Sequence, residues 1–186
     1  MEIREYSEYN ENEIELLQPT AEYAEQITAY RAEFSPDRMR VTYDPDRIPG
    51  MDYLEKFSDV REWLRFCETE EGRITWYMSV RKKDRRIVGF SCLRHSLEFD
   101  DDDPDFASHI GCSVRPSEQG KGYGKEQLRL ILNEARALGM DRVRLVCRDI
   151  NAGSNHIILA NGGRYIDSIY GEESGLTINR YDIDLA

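Results

Sequence analysis

The spacing of apolar and polar positions changes character near residue 70. Before that point the apolar residues recur at helical intervals. Tyr23, Ile27, Tyr30 and Phe34 fall on one face behind Pro19-Thr20, with Thr20 placed to act as an N-cap. Ser35-Pro36 ends this helix, because the residue before a proline is driven out of the α region. A second stripe, Val60, Trp63, Leu64 and Cys67, predicts a helix over 58–70. Between the two, Pro36, Pro45, Pro49 and Gly50 mark a long connection of the kind that often borders a substrate site. The first 18 residues are polar and lack a clear period, which predicts a lead-in or an edge strand.

Beyond residue 70 the period shortens to two. Ile74, Trp76, Met78 and Val80 alternate with Thr75, Tyr77 and Ser79, the pattern of a half-buried strand. Lys82-Lys83-Asp84-Arg85 turns it into a hairpin partner over 87–93. A strand over 108–114 precedes a helix over 123–138, whose stripe is Leu128, Ile131, Leu132, Ala135 and Leu138 and whose stop is Gly139. Val143, Leu145 and Cys147 make the next strand, and a short helix over 152–161 is closed by Gly162-Gly163. Two strands near 164–170 and 176–185 flank a turn at 171–175. Alternation slips by one residue between Ile178 and Tyr181, which predicts a bulge near Arg180. Only the strand–helix–strand crossover demands parallel neighbours. The expected fold is therefore α/β (α+β): one domain over 1–186, with a mixed, mostly antiparallel sheet of six to seven strands and helices on both faces.

Composition narrows the function. A chain of 186 residues is the size of one domain. Its net charge of −11 disfavours nucleic acid and anionic membranes, since either would need a basic face, and is compatible with a cationic substrate. No apolar run is long enough to span a bilayer, and residues 1–15 lack the basic and apolar regions of a secretory signal. A cytoplasmic protein is expected. Cys67, Cys92, Cys112 and Cys147 lie far apart without zinc-ligand spacing, so they read as reduced thiols and no metal is expected. The stretch 98–105 holds six carboxylates but lacks the central glycine and later glutamate of a calcium loop. It reads as a solvated loop, with recognition of a cationic amine as the second reading.

The stretch richest in chemistry is Ile110-Gly-Cys-Ser-Val-Arg-Pro-Ser-Glu-Gln-Gly-Lys-Gly-Tyr-Gly124-Lys125. A strand ends, a turn follows, and alternating glycines lead into a helix. Such a loop can bring free amides and a helix N-terminus against a phosphate or pyrophosphate, with Lys121 and Lys125 as added cations. A Walker loop is excluded because no Ser or Thr follows the lysine. A Rossmann loop needs GxGxxG directly after its strand, whereas here Gly120, Gly122 and Gly124 alternate five residues after Val114. Asp149 could imitate the ribose-binding acid, so a dinucleotide-binding oxidoreductase stays as a remote alternative beside a coenzyme A loop.

These residues resemble the GNAT superfamily of acyl-CoA N-acyltransferases. The family signature (Gln or Arg)-x-x-Gly-x-(Gly or Ala) is met by Gln119-Gly-Lys-Gly122-Tyr-Gly124. Downstream, Asn151-Ala-Gly-Ser154, Ile157-Ile158 and Gly162-Gly163 resemble the family's second cofactor motif. The resemblance covers about residues 74–185. It implies a cofactor-binding part over 71–186 and a helical acceptor-side part over 1–70, with acyl-CoA held in a V between the strands at 108–114 and 142–148. It further implies that the backbone of Cys112, Ser113 and Val114 pairs with the pantetheine arm. The segment Gln119, Gly120, Lys121, Gly122, Tyr123, Gly124 and Lys125 would hold the pyrophosphate, and Asn151 and Ser154 would lie near the thioester end. One departure is plain: the family's acidic tyrosine, seven residues after the asparagine, is here Ile158.

The candidate catalytic residues are His109, Glu98 and Asn151. A histidine on a cleft-lining strand can serve as general base or as a structural hydrogen-bonding group, and both readings stay open. His95 is a similar candidate, and His156 reads as a surface or contact residue. The expected reaction is direct transfer of an acetyl group from acetyl-CoA to the amine of a small molecule, with a peptide or protein amine as the second acceptor class and strand amides near Val114 stabilising the oxyanion. A non-catalytic acyl-CoA-binding module is the competing reading. The acceptor and the oligomeric state, a homodimer included, are open.

Overall fold

The computed structural model describes residues 13–34, 47–99, 106–172 and 174–186. The expectations for the first 12 residues, for most of the proline-rich connection and for the acidic stretch beyond Phe99 lie outside the described residues.

β1 (Ile14–Leu17) is followed by a 3₁₀ turn and α1 (Ala24–Ala32), then by α2 (Val60–Thr69). The N-cap expected at Thr20 opens the 3₁₀ turn rather than α1, and its side chain makes no cap bond. Asp59 does cap α2, accepting from the Arg61 amide at 2.8 Å. The hairpin β2 (Ile74–Arg81) and β3 (Arg86–Arg94) leads to β4 (Ile110–Val114), α3 (Tyr123–Ala137) and β5 (Arg142–Arg148). The chain closes with α4 (Ala152–Ala160), β6 (Arg164–Gly171) and β7 (Leu176–Asp184).

The seven strands form two antiparallel sheets, ordered β1-β2-β3-β4 and β5-β7-β6. Among the described residues β4 and β5 share no ladder. They touch where His109, just before β4, donates its amide to the Arg144 carbonyl at 2.9 Å and accepts the Arg144 amide on Nδ1 at 2.8 Å. The sheet therefore splits along β4 and β5, the two strands joined through α3.

One core lies between the first sheet and α1 and α2, and contains Ile27, Tyr30, Trp63, Trp76 and Phe90. A second lies where α3 and α4 cover both sheets, and contains Tyr77, Leu128, Ile131, Leu145, Ile158 and Tyr181. Because α3 covers its other face, β2 is not half-buried as its alternation suggests: Tyr77 is 8 % exposed and Ser79 fully buried. The bulge also moves. β7 pairs with β5 without a break, and the extra residue is Ile166 of β6, between the pairs Tyr165–Tyr181 and Asp167–Arg180. The bulge brings Asp167 onto the Arg180 guanidinium, with two bonds of 2.7 and 2.6 Å.

Candidate active site

β4 pairs with β3 from Leu93–Ile110 to Gly89–Val114, which leaves its other edge facing the split. The chain then makes a 3₁₀ turn, Pro116–Glu118, steadied where Gln119 donates its side-chain amide back to the Val114 carbonyl at 3.2 Å. Gly120 and Gly122 have φ of +77° and +84°, left-handed values that cost a residue with a β-carbon. Gly122 is the N-cap of α3. Among the described residues, the amides of residues 120–124 donate to no backbone carbonyl, whereas those of Lys125 and Glu126 turn back to the Gly122 carbonyl at 3.2 and 3.4 Å. Consecutive amides without backbone acceptors at the N-terminus of a 15-residue helix are able to receive an anion. Gly124 has a different duty. A β-carbon there would lie 2.8 Å from Cδ1 of Ile157, so this glycine lets α3 and α4 pack closely.

The cations beside the loop are organised by Glu118, which is 6 % exposed. Its carboxylate is held by Arg81 at 2.9 Å, by Lys121 at 2.8 Å and by Arg86 at 3.1 Å. Burial alone would raise its pKa, but Lys121 and Arg81 outweigh that and hold it below the usual carboxylate range. Lys121 is thus tethered, while Lys125 is exposed. Tyr123 turns its ring into the protein, 4 % exposed, where its hydroxyl meets Arg81 at 3.2 Å, so only its amide belongs to the loop.

β4 is secured from both sides. Ser113 Oγ meets the Tyr30 hydroxyl at 3.0 Å, and its carbonyl accepts from Gln127 of α3 at 3.3 Å. The same fully buried Gln127 donates to the Phe90 carbonyl and Ser91 Oγ, each at 2.7 Å. Gly89 makes room for it, since a β-carbon there would fall 1.9 Å from Oε1 of Gln127. Cys112 and Cys147 stand on the two strands that border the split. Burial raises their thiols to about 11 and about 12, which leaves them poor nucleophiles at neutral pH.

At the end of β5, Asn151 caps α4 by accepting the Ser154 amide at 3.1 Å. Asn155, which sequence reasoning missed, ties three elements together. It donates to the carbonyls of Arg148 and Asn151 at 3.0 and 2.8 Å, and accepts from Asn179 and from the Tyr181 hydroxyl. Its only signal in the sequence is a polar residue in a short apolar helix. Ile158 is 4 % exposed in the core, and a β-carbon on Gly163 would lie 2.5 Å from its Cγ2.

His109 sits at the junction of the sheets rather than at the loop. Because Nδ1 accepts the Arg144 amide, the neutral ring carries its proton on Nε2 and has no lone pair free. Burial first and the Arg144 cation second lower its pKa to about 4. That geometry supports the structural of its two readings. Glu98 is exposed on a 3₁₀ turn beyond β3, its amide bonded to Ser96 Oγ at 3.3 Å. His95 shares a 2.9 Å bond with Thr75 Oγ1, and His156 is exposed on α4. The sequence also hid a buried pair, Asp52 and Arg94, in which Arg94 further donates to the Ser108 carbonyl at 3.0 Å.

The sheet thus splits between β4 and β5, and a strand edge without a ladder partner among the described residues leads through a turn to the amide-lined start of α3. The chain belongs to the GNAT acetyltransferase family: the acetyltransferase (GNAT) domain matches residues 13–164. No curated protein sequence matches it. Among solved structures, a microcin self-immunity acetyltransferase in complex with acetyl-CoA and AMP is similar, at 18 % identity, TM-score 0.71 and 93 % of each chain covered. An acetyltransferase from Salmonella typhimurium that modifies the N-terminal serine of a 50S ribosomal subunit protein matches at 14 % identity and TM-score 0.68, over 93 % of this chain and 95 % of that one. Spermidine N-acetyltransferase from Vibrio cholerae, in complex with CoA and spermine, matches at 11 % identity and TM-score 0.68, over 93 % and 96 %. Among the described residues no helix is long and apolar enough to cross a membrane, and no cluster of His, Cys, Asp or Glu could hold a metal ion.

Proposed function

We propose that the protein transfers an acetyl group from acetyl-CoA to the amine of a small molecule. One observation carries the reading: the free edge of β4 leads, through the Pro116–Glu118 turn, to the amides of residues 120–124, which have no backbone acceptor among the described residues. The pyrophosphate sits on those amides, and the amides of the pantetheine arm pair with the backbone of Cys112, Ser113 and Val114. The thioester then lies between the two sheets, with Asn151 and Ser154 at the end of β5.

The amine nitrogen, free of its extra proton, attacks the thioester carbonyl. The new C–N bond forms, the C–S bond breaks, and coenzyme A leaves as its thiolate. The proton shed by the amine passes to solvent. Strand amides on the β4 edge stabilise the developing oxyanion. A thiol of ordinary pKa, about 8.5, is a good leaving group as the thiolate. The core isoleucine at position 158 therefore does not disqualify the site. The net charge of −11 favours a cationic acceptor, and the 1–70 part is assigned to the acceptor side.

Thermal unfolding with acetyl-CoA, NAD or ATP tests the cofactor. At about 100 times its dissociation constant the bound ligand should add about 2.7 kcal/mol, raising the melting temperature by a few degrees. Polyamines and short peptides are then compared as acceptors by release of free CoA thiol. Stabilisation without amine-dependent release would leave an acyl-CoA-binding module. A larger shift with NAD would overturn the reading in favour of a dinucleotide site.

A further inference from the structure

A carboxylate beside an anion-binding loop is unexpected on charge alone. Glu118 immediately precedes the Gln119–Gly124 signature, and its negative charge should repel the phosphates of any ligand held there. Yet it is nearly buried, and three cations from two separate elements converge on it. Arg81 and Arg86 come from the β2–β3 hairpin, and Lys121 comes from the loop itself. Arg81 is fixed in turn by Asp84 at 2.7 Å and bonded to Tyr123 at 3.2 Å, and Arg86 lies 3.5 Å from Glu33 of the segment after α1. Glu118, just before the free amides, and Tyr123, within their run, are thus both tied to Arg81. Glycines with positive φ leave the loop between them with few intrinsic restraints. The placement of these amides therefore depends on how their loop is anchored to the rest of the fold.

We infer that Glu118 is a positioning residue for the cofactor: it anchors the amide loop to the β2–β3 hairpin, and this anchoring outweighs the repulsion between its charge and the ligand's phosphates. The inference rests on the proposed acetyl-CoA site. It makes a prediction of sign, because the purely electrostatic alternative requires the opposite result.

Acetyl-CoA affinity of the purified wild-type chain is measured first by titration calorimetry, followed by steady-state kinetics with an amine acceptor found in the screen above. Glu118→Gln should weaken acetyl-CoA binding and raise its KM about tenfold, with kcat and the acceptor KM changed less than about twofold. Glu118→Asp should recover part of the affinity. Arg86→Gln removes one partner from the exposed side and should raise the acetyl-CoA KM about threefold with little effect on folding. If Glu118→Gln does not fold, Glu118→Asp decides: it keeps the charge, so weaker acetyl-CoA binding than wild type supports anchoring and wild-type affinity overturns it. Unchanged or tighter acetyl-CoA binding in a folded variant overturns the inference, as does an equal fall of kcat in all of them. A wild-type chain that does not bind acetyl-CoA removes the proposed function itself, whereas wild-type binding that the substitutions leave untouched removes only the role of Glu118.

Discussion

The two ends of β4 are built on opposite principles. At its start every strong polar group in view is engaged. His109 clasps Arg144 through two hydrogen bonds, its carbonyl accepts the Arg94 amide at 2.8 Å, and Arg94 is buried against Asp52 and the Ser108 carbonyl. Gly50 presses onto Gly111 so closely that a β-carbon on Gly111 would fall 3.1 Å from the Gly50 amide nitrogen. At its far end the chain leaves a run of amides without backbone acceptors among the described residues and holds them there with positive-φ glycines and an ion-pair hub. Exposed amides at a helix start are met by water until an anion displaces it, so they stay available to a ligand. The first end pins the two sheets together, and the second leaves them apart.

The largest effect should come from breaking the pinned end. Asp52→Ala leaves the Arg94 guanidinium buried without its carboxylate, which should cost about 3–5 kcal/mol of unfolding free energy. Denaturant melts would show this as a large fall in midpoint. A loss below about 1 kcal/mol would mean that this end is far less committed to stability than its contacts suggest. The open end should respond in the converse manner. Gly122→Val places a β-branched residue at a φ of +84° and distorts the amides around it. Acetyl-CoA affinity should fall at least about 100-fold, equivalent to about 2.7 kcal/mol, with a smaller loss of stability of about 1–2 kcal/mol. If stability falls as far as affinity, the two ends are not separate in function.

The open end was the more legible of the two in the sequence, for a physical reason. A loop of free amides needs glycine at fixed spacing, and glycine spacing survives as a local pattern in Gln119-Gly-Lys-Gly-Tyr-Gly124. The helices and hairpins were readable likewise, because their apolar periods are local. The pinned end relies on pairs far apart in the chain, such as Asp52 with Arg94 and His109 with Arg144, and a single sequence carries no sign of who meets whom. The burial of Ser79 is illegible for the same reason, since it depends on α3 crossing the second face of β2. The slip at Arg180 was a real signal of a bulge, but alternation cannot tell which of two paired strands carries the extra residue.

The smallest effect should come from His109, and it decides what that residue is for. A general base would lose about 10²–10⁴-fold in rate when removed. A structural clasp would instead lose about 1–3 kcal/mol of stability, because His109→Ala leaves the Arg144 amide without its acceptor. The distinguishing measurement is the pH dependence of unfolding. In the folded protein the imidazole titrates at about 4, against 6.5 for the free side chain, under burial and the neighbouring Arg144 and Arg94 charges, with Asp182 opposing them. Between these values the unfolded chain binds a proton that the folded chain refuses, so stability rises with pH across the window. Wild-type protein should therefore be fully stabilised by this clasp above pH 6.5 and lose that contribution as pH falls towards 4. Glu118, Glu33 and Asp84, whose carboxyls titrate below their usual range, lose their own contributions as pH falls further still, but they are common to both proteins. The wild-type minus His109→Ala difference should thus shrink across the window, with kcat at pH 8 changed less than about threefold. A difference that stays constant with pH, together with a rate loss of two orders or more, would return His109 to catalysis and make the pinned end of β4 part of the reaction.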